Sequence, residues 1–122
     1  NVSAVTGACL MVKKSDYEAV EGLSEEFAVA LNDVDFCLKL RKRGLLNIFT
    51  PFAELFHYES KSRGADVKEK NSENAKRYEE ESDRFRKKWK TDLENGDPYY
   101  NPNFSLDHSN YTLRGNATSM VE

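Results

Sequence analysis

The sequence predicts an α/β domain, and three observations carry that expectation. Short apolar runs of strand length recur at residues 8–13, 45–49 and 53–57. Segments with helical spacing and matching start and stop residues stand between them. A charge-rich stretch from residue 67 to 93 contains no Pro or Gly and reads as one long helix.

Taken in order, Thr6-Gly7 opens the first run, where a glycine permits close backbone approach. Ser15-Asp16-Tyr17-Glu18 has the form of a capping box, so a short helix is expected over residues 16–20, with Gly22 as its stop. Phe27 and Leu31 read as anchors beneath an irregular loop. Asn32 is a good N-cap for a helix over residues 33–42. On that helix Val34, Cys37, Leu38 and Arg41 share one face, while Lys39, Arg41, Lys42 and Arg43 crowd the end where cations complement the helix dipole. Gly44 is the expected stop. Residues 45–49 then read as a strand, Thr50-Pro51 as a turn, and residues 53–57 as another strand. Residues 62–70 are polar and read as a loop. Along the long helix Tyr78, Ser82, Phe85, Trp89 and Leu93 fall three or four apart and form a narrow stripe. Gly96-Asp97-Pro98 ends it, and the Asn-, Ser- and Tyr-rich remainder reads as a surface-wrapping tail. The organisation expected is therefore residues 1–64, a helix over 65–95, and a tail over 96–122.

At 122 residues there is room for one small domain with a modest core. The chain begins at Asn1 rather than Met, which reads as a domain excised from a longer protein. A formal net charge of −3 with both signs interspersed argues against a general nucleic-acid binder. No apolar run approaches the roughly 20 residues of a membrane-spanning helix. Cys9 and Cys37 match no metal-binding spacing and read as free thiols in a reducing compartment. Four Asn-x-Ser/Thr sequons, at Asn1, Asn103, Asn110 and Asn116, are of a kind that arises readily by chance in such a composition.

Candidate chemistry gathers in two places. Asn32-Asp33-Val34-Asp35 puts carboxylates at a helix start. Residues two apart on a helix point to nearly opposite sides, so Asp33 and Asp35 do not easily share one metal. Asp33, in the first turn, projects from the helix mouth. It can act as a base if an acceptor hydroxyl loses its proton late; the plain alternative is that Asn32 and Asp33 cap a helix. His57, at the end of a strand-like run, is a candidate ligand for Mn²⁺ or Mg²⁺ beside phosphate oxygens, or else a histidine that holds a loop. Ser60, Ser62 and Arg63 are candidates to bind a diphosphate, or else an ordinary polar turn.

The order of these segments resembles bacterial family 2 glycosyltransferases, above all rhamnosyltransferase-like enzymes of cell-surface polysaccharides. The residues that carry the resemblance are Thr6-Gly7-Ala8-Cys9-Leu10-Met11-Val12, Asn32-Asp33-Val34-Asp35-Phe36-Cys37-Leu38-Lys39-Leu40, the run from Gly44 through His57 to Gly64, and Trp89 with Asp97-Pro98-Tyr99-Tyr100-Asn101-Pro102-Asn103. The resemblance implies the C-terminal part of a GT-A mixed sheet with flanking helices. It implies that Asp33 is the general base for inverting transfer, with Asn32 and Asp35 supporting it. It implies that His57 is a metal ligand, that Ser60, Ser62 and Arg63 close on the diphosphate, and that Thr6 and Gly7 lie near the sugar or acceptor. The partners implied are a nucleotide-diphosphate sugar donor and a glycan or lipid-linked glycan acceptor. The implied location is cytoplasmic, peripheral at the inner face of the cell membrane. An Asp-x-Asp nucleotide-binding half is absent from this sequence, so this chain is expected to turn over nothing alone and to self-associate through uncovered apolar surface. The competing expectation is a non-catalytic carbohydrate- or protein-binding module.

Overall fold

A computed structural model describes residues 1–28, 30–58, 73–108 and 110–114. Among the described residues four α-helices carry the fold: α1 (Lys14–Ala19), α2 (Asn32–Lys42), α3 (Glu73–Lys88) and α4 (Lys90–Glu94). Short 3-10 turns over Gly7–Cys9 and Glu25–Phe27 precede α1 and α2 respectively.

The mixed sheet that the sequence predicts, and with it the GT-A arrangement, is not what the described residues form. They contain no strand ladder. The pairings present are two isolated antiparallel bridges, Val2 with Asn47 and Phe104 with Leu113. A strand is stabilised by the neighbour that takes up its N–H and C=O groups. Here residues 7–9 coil into a 3-10 turn, and residues 45–49 receive the single bridge at Asn47. Residues 53–57 form no regular element and have no ladder partner among the described residues.

The helices stop near their expected glycines but do not start as expected: α1 begins at Lys14 with Lys13 at its N-cap and no side-chain cap, so the capping box expected at Ser15 does not form. The backbone of α2 ends in a Schellman motif: the Gly44 N–H donates to the Arg41 carbonyl at 2.8 Å and the Leu45 N–H to the Leu40 carbonyl at 3.2 Å. Gly44 has a φ of +81°, a conformation costly for any residue with a Cβ. The long helix expected from the sequence is interrupted within the described residues. Residues 67–72 lie outside the described residues, and the helix breaks at Trp89 (φ −106°, ψ 20°) before resuming as α4.

Two apolar clusters hold the helices together. Phe27, Leu38, Phe85 and Trp89 form one, with Leu31 and Val34 packed against it. The Phe27 and Phe85 rings meet edge to face, 5.8 Å between centroids. Val20, Phe36 and Leu40 form the other, backed by Leu10 and Val12. Thus α2 is the central element, with one flank against α3 and the other against α1. Farther along, Tyr100, Phe104 and Tyr111 stack as a small aromatic group that closes the tail on itself.

Candidate functional site

The first turn of α2 and the 3-10 turn beside it bring together four of the residues singled out in the sequence: Thr6, Gly7, Asn32 and Asp33. The Gly7 N–H donates to Asp33 Oδ2 at 2.9 Å, across 26 residues of chain. The other carboxylate oxygen of Asp33 accepts from the Val34 N–H at 2.9 Å, and the Asp33 N–H donates to Asn32 Oδ1 at 2.8 Å. Thr6 sits at the N-cap of the adjoining 3-10 turn, where its hydroxyl accepts from the Ala8 N–H at 3.3 Å. Asp33 is half-buried, and Thr6 and Gly7 are exposed. The chain enters this turn through Leu31 in the left-handed conformation (φ 64°, ψ 6°), a strained state for a branched side chain that tertiary packing must sustain. The capping role therefore falls differently from expectation: Leu31 precedes the helix, and Asn32 is its first residue.

Asp35 points the other way, as its spacing from Asp33 requires. Its side chain has no solvent exposure. One oxygen accepts from the Trp89 indole N–H at 2.8 Å and lies 2.8 Å from the Lys88 ammonium. The other accepts from the Ser24 hydroxyl at 2.6 Å and stands 3.8 Å from Lys39 Nζ. Burial opposes the charge of Asp35. The hydrogen bonds from Lys88, Ser24 and Trp89, together with the Lys88 charge, outweigh it and hold the carboxyl below its ordinary range. Burial likewise works against the charge of Lys88, but hydrogen bonds to Asp35 and Glu26 and their charges raise it above the usual lysine value. Asp35 thus ties the start of α2 to the α3–α4 junction and supports the turn that carries Asp33.

The remaining sequence-picked residues are not drawn into this cluster. His57 is exposed and has no hydrogen bond or ion pair among the described residues. Ser60, Ser62 and Arg63 lie outside the described residues. No group of three or more His, Cys, Asp or Glu side chains is placed to hold a metal ion among the described residues. Taken by themselves, those residues do not complete a site for Mn²⁺ or Mg²⁺. An open groove of about 910 Å³ runs beside the site, lined by Thr6, Leu10, Met11, Ile48, Phe49 and Tyr111 among others; it includes neither Asp33 nor His57. No described helix is long and apolar enough to cross a membrane.

Sequence reasoning missed four contributors. Ser24 and Lys88 complete the shell of Asp35. Glu81, almost fully buried in α3, accepts the Ala30 N–H at 2.9 Å in the approach to α2. Asn47 donates to the carbonyls of Ser3 (2.9 Å) and Cys37 (3.2 Å), pinning the second apolar run to α2. A polar residue inside an apolar run, as Asn47 is, was the available signal. Nothing local marks Ser24, Lys88 or Glu81.

Known proteins share much of this sequence. Over 115 residues, 93% of this chain, it is 46% identical to the uncharacterized protein y4gI of Sinorhizobium fredii. It is 33% identical, again over 93% of the chain, to the O-antigen biosynthesis protein RfbC of Myxococcus xanthus. Over 65 residues, 53% of the chain, it is 35% identical to the N-acetylglucosaminyl-diphospho-decaprenol L-rhamnosyltransferase of Mycobacterium tuberculosis. The likeness is to glycosyltransferase-like proteins. The chain spans a small part of each of these relatives, 12%, 8% and 21% of their respective lengths. No family model and no solved structure matches it.

Proposed function

We propose that this chain carries the acceptor-activating part of an inverting family 2 glycosyltransferase that builds cell-surface polysaccharide from a nucleotide-diphosphate sugar. The observation that carries the reading is the carboxylate of Asp33, held at the first turn of α2 by the Gly7 N–H and left half-open to solvent. The O-antigen and rhamnosyltransferase relatives support the same reading.

In this reaction Asp33 accepts the proton of an acceptor hydroxyl as its oxygen attacks the anomeric carbon of the donor. The carbon–oxygen bond to the nucleoside diphosphate breaks, and the diphosphate leaves with the bonding pair. Each oxygen of Asp33 already receives one N–H, which fixes the plane of the carboxylate and leaves lone pairs for the incoming proton. Asp35 does not meet substrate in this scheme; it anchors the helix that presents Asp33. The acceptor is a glycan or lipid-linked glycan, and the reaction takes place in the cytoplasm at the inner face of the membrane. His57, with Mn²⁺ or Mg²⁺, and the segment holding Ser60, Ser62 and Arg63 are the proposed diphosphate side. The chain on its own is expected to self-associate through its exposed apolar flank.

Calorimetric titration of the full-length protein with UDP, dTDP and GDP, with and without Mn²⁺, tests the reading together with Asp33→Asn and His57→Ala variants. One nucleotide should bind in a Mn²⁺-dependent way, and His57→Ala should weaken it. Asp33→Asn should leave nucleotide affinity intact while lowering sugar transfer by about 10²–10⁴-fold, the usual contribution of a general base. A well-folded protein that binds none of the three nucleotides sinks the transferase reading and puts the binding module in its place.

A further inference from the structure

We propose that Gly7 is a positioning residue for Asp33, setting the direction of its carboxylate rather than touching substrate. The inference rests on the reading of Asp33 as the base. Two observations converge on Gly7. Its N–H is the long-range donor to Asp33 Oδ2. A Cβ built on it would lie 3.3 Å from Asp33 Cβ, 3.6 Å from Oδ2 and 3.9 Å from Cγ, so all three of its nearest neighbours belong to one side chain.

The backbone of Gly7 is not in the left-handed region, unlike Gly22, Gly44 and Gly96. Any residue could adopt its torsions; what a side chain there would cost is room. The 3.3 Å contact is tighter than ordinary van der Waals packing, so an added methyl must push Asp33 by a few tenths of an ångström or rotate its carboxylate. Asp33 has somewhere to go, because it is half-open to solvent. The strain is therefore relieved at the catalytic group and not in the core. The 3-10 turn that presents the Gly7 N–H is itself held by Thr6, which makes Thr6 the outer brace of the same device.

This arrangement predicts a particular energetic signature. Gly7→Ala in the full-length protein should lower kcat by about 10–100-fold, as small misplacements of a reacting group do, with KM and nucleotide affinity little changed. A residue that acts solely through Asp33 has nothing left to do once Asp33 is gone. In an Asp33→Asn background, adding Gly7→Ala should therefore leave the residual rate unchanged. Additive losses in this double-mutant cycle, or a wild-type kcat for Gly7→Ala, overturn the proposal. Hydrogen exchange reads the contact without reference to turnover and with Gly7 intact. The Gly7 amide should exchange at least about tenfold faster when Asp33 is replaced by Ala, since its acceptor is then lost; an unchanged rate also overturns the proposal. If Asp33→Asn transfers sugar at the wild-type rate while the exchange result holds, the contact is real and it is the base assignment that fails.

Discussion

The corner around Asp35 and the run from Leu45 to Tyr58 contain much the same kinds of residue and have opposite fates. In the corner, Trp89 and Phe27 are 2% and 0% exposed, and a carboxylate is buried beside them with both oxygens partnered. In the run, Ile48, Phe49, Leu55 and Phe56 are exposed, and Phe52 is 95% exposed. Apolar content does not separate the two. The corner is assembled by helices, which satisfy their own backbone groups and then need just one apolar face covered. The run forms neither helix nor strand among the described residues, so no regular ladder takes up its backbone groups, and Asn47 alone in it is paired in a bridge. Burial in this chain follows from whether a segment closes its backbone hydrogen bonds locally.

The largest expected effect breaks the corner. Asp35→Ala leaves Lys88, Ser24 and the Trp89 indole N–H without their shared acceptor, and removal of one member of a buried pair costs about 3–5 kcal/mol. Lys88 keeps 33% of its side chain in solvent, so the lower end, about 3 kcal/mol, is expected in urea unfolding. Asp35→Asn keeps an acceptor for Trp89 or Ser24 and should lose about half as much. A loss below about 1 kcal/mol for the alanine variant would show that the corner is held by its rings alone.

The same contrast explains what could be read from the sequence. The presence of helices α1 and α2, the stops at Gly22, Gly44 and Gly96, and the burial of Phe27 were legible; the helix starts were not, since Lys13 and Leu31 rather than Ser15 and Asn32 stand at the N-caps. The expected sheet was a misreading, since strand propensity says nothing about whether a partner strand lies alongside, and the described residues form none. Within the site, Asp33 was legible as a helix-mouth carboxylate, and the opposed directions of Asp33 and Asp35 followed from helical spacing. The contact of Asp35 with Trp89, 54 residues away, was not. Trp89 read as one member of a continuous stripe, yet it sits where the helix breaks and its indole turns to the carboxylate. No Pro or Gly stands there to announce that break.

A middle-sized effect comes from pH. Asp35 holds its proton less readily in the fold than in the unfolded chain, so its contribution to stability is complete above the usual carboxylate value of 3.8 and is lost as pH falls through the depressed folded value. Lys88 is the mirror case: its contribution is complete below the usual 10.5 and is lost as pH rises through the elevated folded value. Stability measured by chemical denaturation should therefore fall at both extremes, and the acid-side fall should be shallower in Asp35→Asn. An equally steep acid limb in that variant would assign the acid sensitivity to other carboxylates.

The smallest effect tests the run. Ile48→Thr and Phe52→Ser remove apolar groups that the chain does not bury, so each should change unfolding free energy by no more than about 0.5 kcal/mol. The equivalent change in the corner, Phe27→Ala, should cost about 3–5 kcal/mol. Their influence should appear in association instead. Contiguous exposed apolar surface is rare on monomeric proteins, and sedimentation should show the wild-type chain self-associating more strongly than the Ile48→Thr, Phe52→Ser pair. A wild-type chain that stays monomeric when dilute, or a cost at Phe52 that rivals Phe27, would mean that the run is buried in solution and that the two regions differ less than their exposures imply.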